Sequence, residues 1–255
     1  MVFRKGFTVL KRHSSTLALE NGKQWAGVNA IEDLIQSNPS VIGLGSSSTM
    51  VYAIEHLART RLAKTVTCIP TSFQTRQLII SHKLKLGSLD QFPVVDVTVD
   101  SADEIDSNLN AIKGSGGYIL QDRLLAQSSR RFILVADTKR KSLQLGTQWR
   151  RGVPIEVIPI ALASVGLSLE RMFPSAQMRL RMATPSNKAG PVVTDNGNLI
   201  IDCNFGPIEQ NPAELYKEIK CLSGVLDVGL FCNMAESAYI GDLEGDKGEI
   251  IYRKK

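Results

Sequence analysis

The sequence predicts an α/β fold, an open and mainly parallel sheet flanked by helices, with a second, smaller α+β domain. Three observations lead there: short β-branched runs alternate with helical apolar spacing, polar clusters directly follow the strand-like runs, and the texture changes past Trp149.

Residues 41–45 (VIGLG) read as the first strand. Residues 49–62 read as the helix after it, because Met50, Ile54, Leu57, Ala58 and Leu62 fall on one apolar face that must dock on the sheet. The strand and helix patterns at 66–70 and 73–83 repeat the unit, and 94–100 and 132–137 add further strands. Past Trp149, residues 155–159 are strand-like, 161–172 helical, and a helix is expected near 212–222. Between two β-branched runs, Asp195, Asn196, Gly197 and Asn198 signal a hairpin. The expected division is a disordered N-terminal extension over 1–19, an α/β domain over 20–146 completed by 234–255, and an inserted α+β domain over 147–233.

With 43% hydrophobic and 22% charged residues in 255, the chain is an ordinary globular protein with a sizeable core. Its +5 net charge comes from the ends: Arg4, Lys5, Lys11, Arg12, Arg253, Lys254 and Lys255 exceed the whole excess. No basic stripe remains, so no nucleic-acid partner is expected. No apolar run reaches the length of a membrane span, so no membrane association is expected either. Cys68, Cys203, Cys221 and Cys232 follow no CxxC spacing, and His13, His56 and His82 form no ligand pattern, so neither a metal nor another cofactor is expected. A cytoplasmic protein with reduced thiols fits this usage, while the basic, acid-free N-terminus weakly resembles a mitochondrial transit peptide.

In an open parallel sheet, ligands sit at the carboxyl ends of the strands, so the polar clusters there should converge on one crevice. In GLGSSSTM, a strand runs through a small-residue loop into a helix. Free amides at the helix start and the hydroxyls of Ser46, Ser47, Ser48 and Thr49 suit a phosphate monoester; Ser48 or Thr49 as a simple helix cap is the other reading. The loop is neither the dinucleotide fingerprint nor a Walker loop, lacking the third glycine of the one and the Gly-Lys of the other.

VDSADEID places Asp100, Asp103, Glu104 and Asp106 within seven residues at a strand end. Such crowding raises at least one carboxyl pKa and can set an acid beside a base; a capped turn with solvated charges is the alternative. In IKGSGGYILQDR, Lys113 precedes the turn Gly114, Ser115, Gly116 and Gly117. Glycine backbone allows close approach to amides, Lys113 offers a cation to an oxyanion, and Asp122 two turns on could serve as a base; a surface turn with an exposed Asp is the bland reading.

These segments together, with CIPTSFQTRQLI, RRFILVADTKRK, GVPIEVIP, AGPVVTDNGN and GVLDVGLF, resemble type A ribose-5-phosphate isomerases from about Gly22 onward. The resemblance implies interconversion of ribose 5-phosphate and ribulose 5-phosphate in the non-oxidative pentose phosphate pathway. It also implies a cofactor-free cytosolic enzyme acting on a phosphopentose, as a homodimer or homotetramer. It places substrate binding on Ser46, Ser47, Ser48 and Thr49, and the family's DGAD on Asp100, Ser101, Ala102 and Asp103. Its KGGG falls on Lys113, Gly114, Ser115 and Gly116, the proton-shuttling glutamate on Asp122, and a substrate-contacting lysine on Arg140.

Ser47, Ser101 and Ser115 stand where the family pattern has glycine, and Asp122 where it has glutamate. A serine at positive φ would cost about 1–2 kcal/mol, and a carboxylate retracted by roughly an ångström can cost about a hundredfold in rate. The departures leave open a weakened paralogue that binds sugar phosphate without efficient turnover.

Overall fold

The structure, a computed structural model, describes residues 14–184, 186, 188–242 and 247–253. Its elements run α1 (Ser14–Ser37), β1 (Val41–Leu44), α2 (Ser48–Leu57), β2 (Thr67–Pro70), α3 (Phe73–Ser81), β3 (Lys85–Leu86), β4 (Val95–Ser101), β5 (Glu104–Ile105) and β6 (Ala111–Ile112). There follow α4 (Ile119–Gln127), β7 (Ser129–Asp137), β8 (Val153–Val157), α5 (Leu162–Met172), β9 (Gln177–Leu180) and β10 (Leu199–Asn204). The chain closes with α6 (Pro212–Lys220), β11 (Val225–Val228), β12 (Leu230–Phe231), β13 (Ser237–Gly241) and β14 (Gly248–Tyr252).

Seven strands form the main sheet in the order β14-β13-β7-β4-β1-β2-β3, parallel throughout except for β14 at one edge. After β1 the chain steps to β2 and β3 on one side, then returns to place β4 on the other. The loops leaving β1 and β4 therefore diverge and leave a crevice at the strand tips, where Gly45 to Thr49 and Asp100 to Asp103 lie. Strand alternation splits β7 between two cores. Ile133 and Val135 face α1 and α2, while Phe132, Leu134 and Ala136 join Leu109, Phe231 and Ile240 on the other face.

The apolar face expected on the second helix is present, with Met50, Ala53, Ile54 and Leu57 buried, but α2 stops at Leu57. The Thr60 hydroxyl donates to the Leu57 carbonyl at 2.8 Å, and Leu62 reaches the core from a separate 3₁₀ turn, Arg61–Lys64. Of the extension expected over 1–19, residues 1–13 lie outside the described residues, whereas 14–19 belong to α1. That helix buries Ala26, Ala30, Ile31 and Leu34 in the core.

Four antiparallel strands, in the order β11-β8-β10-β9, form the second sheet, with α5 and α6 over Val153, Ile155 and Val157. A three-stranded sheet, β12-β6-β5, joins it to the first. The hairpin expected at 195–198 is half present. Its turn closes by Thr194 N–H donating to the Asn198 carbonyl at 2.9 Å, but the arm before it pairs with 181–183 while β10 pairs with β8 and β9. Pro191 in that arm has no amide to offer a ladder. Among the described residues no helix is long and apolar enough to cross a membrane.

Candidate active site

Gly45 is where the first loop and the acidic strand meet. A Cβ there would lie 1.8 Å from Oδ1 of Asp100, so only glycine lets the carboxylate sit against the loop. Beyond it Ser47, with φ −174°, caps α2 by accepting from the Met50 amide at 3.2 Å. Capping thus falls to Ser47 rather than to Ser48 or Thr49, and extended backbone there suits serine as well as glycine. The Ser46 hydroxyl joins those of Thr71, Ser72 and Thr75 in one cluster, tying this loop to the tip of β2 and the start of α3.

At the tip of β4 the four acids part company. Asp100 is fully buried, its Oδ1 accepting from the Ser101 amide at 2.7 Å and its Oδ2 lying 2.7 Å from Lys113 Nζ. Asp103 accepts from the Ser115 amide at 2.9 Å, and Arg140 donates to the Asp103 carbonyl at 3.2 Å. Glu104 and Asp106 are structural. Glu104 accepts from the amides of Gly146, Thr147, Gln148 and Trp149, and Asp106 from those of Asn108 and Asn110.

Lys113 stands between two carboxylates, 2.7 Å from Asp100 and 3.2 Å from Asp122 Oδ2, and it also donates to the Ser101 carbonyl. Three groups nine-tenths or more buried thus carry two negative charges and one positive. The imbalance falls on Asp122. Burial and then the neighbouring Asp100 raise its pKa from the usual carboxylate range to about 7, against the weaker pull of Lys113 and the Thr71 hydroxyl. Burial opposes the charge on Lys113, but Asp100 and Asp122 outweigh it and hold the ammonium well above its ordinary pKa.

Beside this triad is a cavity of about 280 Å³ whose walls include Ser46, Ser47, Ser48, Thr49, Ser101, Ala102, Asp103, Ser115, Gly116 and Arg140. Those ten expected residues, from four separate segments, meet at one place. Asp100, Lys113 and Asp122 pack next to the wall through Ser101, while Gly114, at φ +107°, makes the turn that Ser115 and Gly116 leave. None of Ser47, Ser101 and Ser115 has positive φ, so the backbone strain that could have weakened the site is missing. Lys23, Gln74 and Tyr118 also line the cavity and were not foreseen. Among the described residues the cations on the cavity wall are Lys23, which also pairs with Glu20 at 2.8 Å, and Arg140, while Lys113 lies just behind the wall.

Residues 67–245 match the family described as ribose 5-phosphate isomerase A (phosphoriboisomerase A). Over 233 residues the chain is 42% identical to the ribose-5-phosphate isomerase of Candida albicans, covering 91% of this chain and 97% of that one. Against the Schizosaccharomyces pombe protein of the same name it is 47% identical over 227 residues, 89% of this chain and 82% of the other. Among solved structures, a D-ribose-5-phosphate isomerase in complex with phospho-erythronic acid superposes with TM-score 0.81 at 35% identity, over 91% of this chain and 99% of that one. The Plasmodium falciparum enzyme gives 0.81 at 30% identity, over 95% and 100%. With matches over this extent, the chain belongs to the ribose 5-phosphate isomerase A family.

Proposed function

We propose that the chain interconverts ribose 5-phosphate and ribulose 5-phosphate through a cis-enediolate, with Asp122 as the shuttle that takes the C2 proton and returns it to C1. One observation carries this assignment: a buried lysine bridging two carboxylates, one of them titrating near neutrality, beside a cavity walled by hydroxyls and amides. A base is most effective when its pKa lies near the working pH, and Asp122 has that property.

Asp100 assists ring opening, Asp103 contacts a sugar hydroxyl, and the Lys113 ammonium stabilises the developing oxyanion. Ser46, Ser47, Ser48 and Thr49, at the start of α2, hold the phosphate together with Arg140 and Lys23. Binding at that remote end orients the reacting carbons. The phospho-erythronic acid bound by a relative is, like the proposed substrate, a short phosphorylated polyhydroxy compound, which supports a cavity of this chemistry. The enzyme works in the cytoplasm, in the non-oxidative pentose phosphate pathway, as a homodimer or homotetramer; sedimentation of the purified chain tests the assembly.

The decisive measurement is ribulose 5-phosphate formation by Asp122→Asn. Loss of a general base lowers kcat by about 10²–10⁴-fold, with substrate still raising the melting temperature. Isomerisation at the parent rate would remove Asp122 from its role.

A further inference from the structure

Strand β8 divides its side chains between two tasks. Val153, Ile155 and Val157 fill the core of the second sheet. Pro154 and Glu156 point the other way, toward the segment that carries Lys113 and Asp122, where a Cβ on Gly114 would come within 3.3 Å of the Pro154 ring.

Glu156 is fully buried in the middle of an otherwise apolar strand, and among the described residues no cation pairs with it. Its Oε2 accepts from the Leu120 amide at 3.1 Å, while Oε1 accepts from the Thr194 hydroxyl and the Asn198 side-chain amide, both at 2.9 Å. Leu120 is the second residue of α4, whose preceding residue Tyr118 supplies no side-chain cap. One of the unpaired amides at the start of that helix is therefore satisfied by a carboxylate from the other sheet. Asp122 lies two residues further along the same first turn, its amide donating to the Tyr118 carbonyl at 2.8 Å. The turn at 194–198 that Glu156 holds also grips the crevice, since Asp195 accepts from the Phe73 amide at the start of α3.

We infer that Glu156 is a positioning residue for the isomerisation, fixing the first turn of α4 so that the Asp122 carboxylate stays against Lys113 beside the cavity. This rests on Asp122 being the proton shuttle. A buried carboxylate without a cation is an expensive choice where a valine would pack, and the donors it satisfies belong to the catalytic helix and to the turn against the crevice. Glu156 does not line the substrate cavity. Its removal therefore acts chiefly on the placement of Asp122 and takes no group away from the cavity wall.

The test is steady-state kinetics of the full chain with ribose 5-phosphate, alongside thermal melts. In Glu156→Ala, kcat falls by about ten- to a hundredfold, the scale expected for a misplacement near one ångström, while KM stays within about threefold. Glu156→Gln, whose carbonyl still accepts from the Leu120 amide while the Asn198 amide turns over, returns kcat to within about fivefold of the parent. A Glu156→Ala protein with parental kcat, with kcat and KM impaired together, or with no recovery in Glu156→Gln overturns the inference. Should Glu156→Ala not fold, Asn198→Ala takes its place: kcat lowered about threefold at unchanged KM supports the role, and parental kcat overturns it. Asp122→Asn is measured in parallel. If it is inactive while Glu156→Ala keeps full kcat, only the positioning role fails; if it is active, the shuttle assignment fails and this inference with it.

Discussion

The two sides of the crevice handle charge in opposite ways. On the proposed phosphate side the loop carries hydroxyls at a helix start: Ser46, Ser47 and Ser48 are at least partly exposed, and Ser46 is bonded to the buried Thr71, Ser72 and Thr75. On the other side Asp100, Lys113 and Asp122 are 0%, 2% and 5% exposed and carry unequal charge. Neutral groups near solvent tolerate exchange, since water replaces a lost partner. Buried charges do not, because removing one leaves its partner buried and uncompensated. The family's glycines can therefore become serines along the cavity wall, whereas the triad should resist change.

The largest effect expected from this contrast is at Lys113. Lys113→Met leaves two carboxylates buried without their cation, which costs about 3–5 kcal/mol in denaturant unfolding and removes the proposed oxyanion partner. Activity should drop at least about 10³-fold, and a variant within tenfold of the parent would show that the triad is not the chemical centre. Gly45→Ala comes next. Its methyl group would occupy the place of Asp100 Oδ1, forcing that carboxylate from Lys113. A loss of about a hundredfold in kcat is expected, although the substitution is on the phosphate side of the crevice.

The pH dependence follows from the same imbalance. In its proposed role as base Asp122 must be ionised, so kcat/KM should fall about tenfold per unit below a pH of about 7. Its effect on stability has a definite sign. With the folded-state pKa raised above that of the unfolded chain, the native state holds the proton more tightly. The resulting stabilisation is present below the ordinary carboxylate pKa and is lost as pH rises toward 7. Asp122→Asn should consequently melt higher than the parent at pH 8, with the difference shrinking toward pH 5. An equal difference at both values would place the raised pKa elsewhere.

How legible this arrangement was depends on how local its causes are. Strand tips followed by serines or aspartates are short-range patterns, and they located the loop at Ser46 and the acids at Asp100 and Asp103. The same pattern did not separate Asp100 from Glu104, because Glu104 is claimed by amides of residues 146–149, some forty positions away. Lys23 reaches the cavity from α1, a helix whose small buried residues Ala26 and Ala30 give a weak apolar rhythm. Glu156 stands in a strand that periodicity marks as buried, and a buried carboxylate is interpretable only once its donors are seen. The turn at 195–198 was evident from its residues, but which strand it fed was not. Pro191 and the competing partners at 181–183 decided that through long-range pairing.

The smallest effect expected is at Ser47, and it tests the tolerant side directly. Ser47→Gly restores the residue of the family pattern, removes the side-chain acceptor for the Met50 amide and leaves the backbone free to keep its extended conformation. Glycine in place of a serine cap costs only a few tenths of a kcal/mol. The melting temperature should thus fall by about a degree or two. Phosphate binding through the amides of α2 would be untouched, so KM should stay within about twofold. A KM change of tenfold or more would mean that the Ser47 hydroxyl itself holds the phosphate, and the tolerance of that wall would then reflect a replaced contact rather than an indifferent position.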